Sequence, residues 1–117
     1  AVDKQVDLMS SYGMDVEREV PWPQPFEIYA KAVKRGQAAA AYANRLAEYY
    51  ADLADSLEAD RGALIVNHGG VLELGVVASC PNADYESWGD SAYYCEGARL
   101  FWEAGRCVKA EILRVSR

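Results

Sequence analysis

The chain has 117 residues with a net charge of -6 and a pI of about 4.7; 51% of the residues are hydrophobic and 26% charged. That length suits a single domain, residues 1–117, with enough apolar content for a core and too much for a disordered chain. The acidic balance argues against a nucleic-acid partner, whose backbone is held by Lys and Arg neutralising phosphates, but a local pocket for a small phosphorylated ligand stays open.

Residues 1–25 are expected to be irregular. Val20–Pro25, "VPWPQP", has three prolines in six residues, and proline fixes φ and removes amide donors, so an extended connector is expected. A short helix is predicted over Phe26–Arg35, stopped near Gly36. From Gln37 to Leu57 the helical pattern is strong: Tyr42, Leu46, Tyr49, Leu53 and Leu57 recur at steps of three or four on one face, and the alanine block 38–41 adds propensity.

"ADRG" then breaks the helix. Ala63–Val66, "ALIV", is a continuous apolar run of strand length and is expected to be a central parallel strand covered on both faces. Gly70–Cys80 is apolar except for Glu73 and predicts a buried helix; Cys80–Asp90 predicts a loop. Two strands are predicted, Ala98–Glu103 and Arg106–Val115, joined near Ala104-Gly105. Val108, Ala110 and Ile112 would face the core between the wet Lys109 and Glu111.

No apolar run approaches the ~18 residues of a membrane span, and no basic start leads into an apolar segment. The three cysteines, Cys80, Cys95 and Cys107, are odd in number and show no C-x-x-C, so reduced thiols in a cytoplasmic protein are expected rather than a disulfide framework.

The one histidine, His68, follows Asn67 after the apolar run and precedes Gly69 and Gly70. In a strand–turn–helix unit this turn is where α/β sheets bind ligands. The glycines let the backbone approach a ligand, the helix start favours an anion, and an imidazole beside them can donate a hydrogen bond or move a proton. His68, Gly69 and Gly70 together look like half of a phosphate site; a histidine that only caps the helix is the plainer reading. Without a second histidine or an H-E-x-x-H spacing no metal is expected, and no cofactor is implied. A Cys–His nucleophile would need one of the cysteines near His68, and all three lie in contexts that read as helix end or strand.

Ala63–Gly89, "ALIVNHGGVLELGVVASCPNADYESWG", resembles the second catalytic-histidine segment of the histidine phosphatase superfamily, the phosphoglycerate-mutase-like fold. "YCEGARLFWEAGRCVKAEILRV", Tyr94–Val115, resembles that family's last two strands. The resemblance spans roughly residues 15 to 117 and is most specific over Ile65–Leu72. It implies a three-layer α/β/α sandwich whose N-terminal strand and helices are absent from this chain. His68 would be the second histidine, contacting a transferred phosphoryl group beside Gly69 and Gly70. A carboxylate that serves as general acid in the family would be Glu17, or Glu19, in "VEREV".

The family's nucleophile, a histidine in Arg-His-Gly, has no counterpart here, nor has its upstream arginine helix; the chain contains no threonine. The expected function is therefore part of a phosphomonoester hydrolase or mutase acting through a phosphohistidine supplied from elsewhere. The alternative is an inactive phosphatase-like module that binds a phosphorylated ligand or a protein. The expected partners are a small phosphorylated substrate, a second copy of the chain or the missing N-terminal segment, with no nucleic acid and no membrane.

Overall fold

The computed structural model describes residues 13–115. Five helices and one hairpin follow in chain order: α1 Met14–Glu19, α2 Phe26–Lys34, α3 Ala38–Ser56, α4 Val71–Ser79, α5 Tyr85–Trp88, β1 Gly97–Glu103 and β2 Arg106–Leu113. The sheet has two antiparallel strands, so among the described residues the chain is a mixed helix and strand domain.

The core lies in the helical layer. Nearly every side of α4 is buried, including Val71, Leu74, Val76 and Val77, as expected for a helix apolar all round. Helices α2 and α3 pack on it through Phe26, Tyr29, Tyr42 and Leu46, each at most 2% exposed. A side chain of that kind contributes about 1.5–3 kcal/mol when buried, so these four and Leu74 outweigh any surface ion pair in the domain. The buried face of α3 is Ala39, Ala40, Tyr42, Ala43, Leu46 and Tyr50. It turns slightly from the predicted stripe: Tyr50 rather than Tyr49 points inward, and Leu53 and Leu57 are half-buried.

Four expectations are corrected. Part of the first 25 residues is helical, because Val16 and Val20 supply an apolar face for α1 to bury; residues 1–12 lie outside the described part. The Cys80–Asp90 loop contains the helical turn α5, whose Tyr85 and Trp88 rings meet edge-on 5.2 Å apart. Ala63–Val66 is not a strand: it forms no ladder, and Leu64 and Val66 are 90% and 85% exposed. A strand needs a partner for its amides and carbonyls, and the one described sheet is elsewhere. The fourth correction lies in the hairpin. Phe101 pairs with Lys109 and Trp102 with Cys107, so Val108 is an extra residue in β2. This bulge breaks the two-residue alternation: Ala110 and Ile112 are half-buried, whereas Val108 is 53% exposed and Cys107 takes the inward place. There the Cys107 Sγ lies 3.1 Å from the Cys80 Sγ, both sulfurs being free thiols.

The loops are tied by two polar clamps. Ser91 Oγ accepts from the Gln24 N–H at 3.0 Å and donates to the Gln24 carbonyl, fixing the proline connector. Arg114 donates to the Ser91, Trp88 and Asp90 carbonyls and to Glu96 Oε1, whose side chain is 1% exposed. Replacing Arg114 by alanine leaves that carboxylate buried without its cation and opens three carbonyls. The expected loss is about 2 kcal/mol of stability, read as a lower midpoint in urea denaturation. An unchanged midpoint would show that this clamp is ornamental.

Candidate functional site

His68 stands at the rim of a cavity of about 500 Å3 between the proline connector, the start of α4 and the Ala92–Glu96 turn. Trp22, Leu72 and Tyr93 form apolar walls, and Asn67, Cys95 and Glu96 line the same space. Its lining includes no lysine or arginine among the described residues.

The imidazole is exposed, and its Nδ1 lies 2.9 Å from the Gly69 carbonyl. A carbonyl only accepts, so in that bond Nδ1 carries the proton and Nε2 is the basic nitrogen of the neutral ring. Asn67 is held by its Nδ2, which donates to Tyr50 Oη on α3 at 3.1 Å. The residue before the histidine is thus anchored to the core, while the histidine itself faces outward.

The two glycines serve internal packing. A Cβ on Gly69 would lie 2.5 Å from Trp22 Nε1 and 2.6 Å from Cε2, so the indole occupies the face that a side chain would need. Gly70 has φ +87°, a conformation that L side chains rarely adopt. Its N–H donates to Glu73 Oε1 at 2.9 Å, and Trp22 Nε1–H donates to Glu73 Oε2 at 2.9 Å. Glu73 is wholly buried. The open backbone that the sequence suggests for a ligand is therefore filled by an indole, and one helix-start amide already has an anion, the Glu73 carboxylate.

Neither of the two carboxylates considered as general acid lines the cavity of His68. Glu17 is exposed on α1 and does not line the cavity. Glu19 caps α3: its Oε2 accepts the Ala39 N–H at 3.0 Å, and its own carbonyl accepts from Arg35. Glu96 lines the cavity, but its side chain is 1% exposed and its carboxylate is engaged by the Tyr93 and Val115 N–H groups as well as by Arg114. Sequence reasoning missed Trp22, Tyr93 and Glu96. Only Trp22 left a signal, as an aromatic inside a rigid connector. Cys95, read as strand, lies in a turn at φ +65°, and that turn brings it to the cavity of His68. Among the described residues no cluster of His, Cys, Asp and Glu forms a metal site, and no helix is long and apolar enough to cross a membrane.

Comparison of the chain with protein-family models, curated proteins and solved structures gave no match.

Two outcomes follow from this geometry. Gly69→Ala forces the Trp22 indole from its seat and should cost about 1–3 kcal/mol in thermal or urea denaturation. Wild-type stability in that variant would mean that the indole is not packed against Gly69. Burial pushes Tyr50 up to about 12 from its usual 10.0. Stability from this group is full below pH 10 and is lost as pH rises towards 12, because the unfolded chain ionises there first. The full loss is about 2–3 kcal/mol. It should appear as an alkaline decline in the urea midpoint that Tyr50→Phe flattens; an equal decline in both proteins would exclude Tyr50 as its source.

Proposed function

We propose that residues 63–72 form one half of a phosphoryl-transfer site, of the kind that hydrolyses or isomerises phosphomonoesters through a phosphohistidine. His68 would be the histidine that contacts the phosphoryl group. The single observation that carries this reading is the exposed row Leu64–Val66 leading into His68. Isoleucine and valine are strong strand formers, and with Leu64 beside them they lie bare on the surface, with neither ladder nor cover. A segment of that composition gains most by pairing with strands from outside residues 13–115. A neighbouring strand beside it would bring its own end residues next to His68, and there the nucleophile histidine belongs. In this reading the complete domain is the three-layer sandwich, and the described residues hold part of its helical layers and the terminal hairpin.

The chemistry left to this chain is limited and definite. With Nδ1–H held by the Gly69 carbonyl, the ring donates to a phosphoryl oxygen in its protonated form, through Nε2–H, and stabilises charge that builds there. Gly69 and Gly70 set the position of His68, and the Gly70 amide remains with Glu73. Phosphoryl transfer depends chiefly on positioned positive charge, so the arginines and the nucleophile come with the completing segment. Glu17, exposed on α1, is the acid only if that segment carries the substrate over to it.

A second reading is a non-catalytic module that holds a phosphorylated ligand or a protein partner. Its protein-partner form is favoured by the aromatic cavity walls without a cation, Trp22 meeting Tyr93 edge-on at 5.6 Å between ring centres.

The test uses the only imidazole in the chain. Inorganic phosphate at tens of millimolar, with ionic strength constant, should move the His68 ring-proton NMR signals with a saturable, weak affinity. Vanadate should do the same at lower concentration. Signals that stay unmoved by both would end the half-site reading.

A further inference from the structure

We propose that Cys80 and Cys107 are a thiol pair that closes to an intramolecular disulfide when the protein meets a low-molecular-weight disulfide oxidant, stapling the terminal hairpin to the end of α4. Their sulfurs are 3.1 Å apart, 27 residues from one another in the chain. A disulfide bond is about 2.05 Å long, so closure asks for an approach of roughly 1 Å. Small side-chain rotations supply that.

Both partners are aimed by their backbones. Cys80 is the C-cap of α4, and its N–H donates to the Val76 and Val77 carbonyls. Its own carbonyl accepts the Tyr85 hydroxyl at 2.6 Å. Cys107 is aimed by the bulge at Val108. In an unbroken ladder with Ala110 and Ile112 inward, position 108 would face the helix and position 107 the solvent. The extra residue reverses this and turns the Cys107 side chain onto α4; re-aiming one side chain is a recurrent use of bulges. The third thiol, Cys95, is exposed in the Ala92–Glu96 turn beside the His68 cavity. Geometry thus selects one pairing out of the three that three cysteines allow.

The step balances with glutathione disulfide as oxidant. Burial pushes the Cys80 thiol up, so Cys107, half-buried, is the first nucleophile. Cys107 loses its proton, its sulfur bonds to one glutathione sulfur, and the other leaves as a thiolate. Cys80, losing its proton in turn, displaces the second glutathione from Cys107. Two protein thiols are oxidised, one external disulfide is reduced to two thiols, and both protons pass to water or to the departing thiolates. The product ties the hairpin, which otherwise rests on α4 through side-chain contacts such as Leu100 and Ile112, to the helical core.

The experiment uses the full chain with Cys95→Ser, which leaves Cys80 and Cys107 as the two cysteines. The protein is equilibrated in glutathione redox buffers, folded and in concentrated urea. The expected product is a monomer lighter by two hydrogens, whose non-reducing tryptic digest joins Gly62–Arg99 to Cys107–Lys109. Its Tm should rise by an amount on the order of 10 °C, reversed by dithiothreitol. The disulfide should be favoured in the folded chain on the order of 100-fold over the chain in urea. Cys80→Ser in the same background should stop at a glutathione adduct on Cys107. Three results would each overturn the proposal. One is a stable glutathione adduct with both cysteines present. Another is a disulfide-linked dimer in place of the closed monomer. The third is an equilibrium no more favourable folded than in urea.

Discussion

The arrangement of this domain depends on one buried carboxylate. Glu73, in the first turn of α4, is fully enclosed and holds the Trp22 indole N–H with one oxygen and the Gly70 amide with the other. A carboxylate left unpaired in such a place would cost several kcal/mol, so both donors are required by its burial. Through Trp22 it draws in the proline connector; through Gly70 it fixes the turn that carries His68. The requirement for glycine at 69 and 70 then follows: the indole covers the first, and the second takes a positive φ to close the turn on Glu73.

Around that point the molecule divides into a well-packed part and a bare part. Helices α2, α3 and α4 bury aromatic and aliphatic side chains among themselves, and the hairpin leans on the outer side of α4. The segment between α3 and α4 lacks such support. Residues 61–66 are all exposed, and only at Asn67 does the chain rejoin the core, through the Tyr50 hydroxyl. A stretch of strand-forming composition is therefore left unused by the rest of the fold.

Helices α2, α3 and α4 were legible because apolar residues recur along them at helical spacing or in an unbroken run; α1 and α5, of six and four residues, are too short to show such a pattern. Tyr42 and Leu46 mark α3, and the nearly unbroken apolar run from Val71 marks α4. The hairpin was legible from Ala104-Gly105 between two apolar runs. Ala63–Val66 was misjudged because composition records what a segment prefers, while a ladder depends on a partner elsewhere. The bulge at Val108 escaped because alternation assumes an uninterrupted register. The same slip hid the approach of Cys107 to Cys80, which no cysteine spacing announces. Of the candidate site, His68 was legible from its neighbours. Its surroundings were not: Trp22 and Glu96 are 46 positions before and 28 after it in the chain, and only the tertiary fold brings them to one cavity.

Electrostatics sets how much of a phosphate site this chain can supply. A helix start attracts an anion through its unpaired amides and its partial positive charge. At α4 the Glu73 carboxylate already occupies one amide and offsets that charge from within. The cavity adds no lysine or arginine among the described residues, and the chain as a whole carries a net charge of -6. One imidazole N–H against this background gives weak anion binding at most. A phosphoryl-transfer site built here must therefore import its positive charge, and the bare row from Leu64 to Val66, ending beside His68, is where a strand carrying it would join.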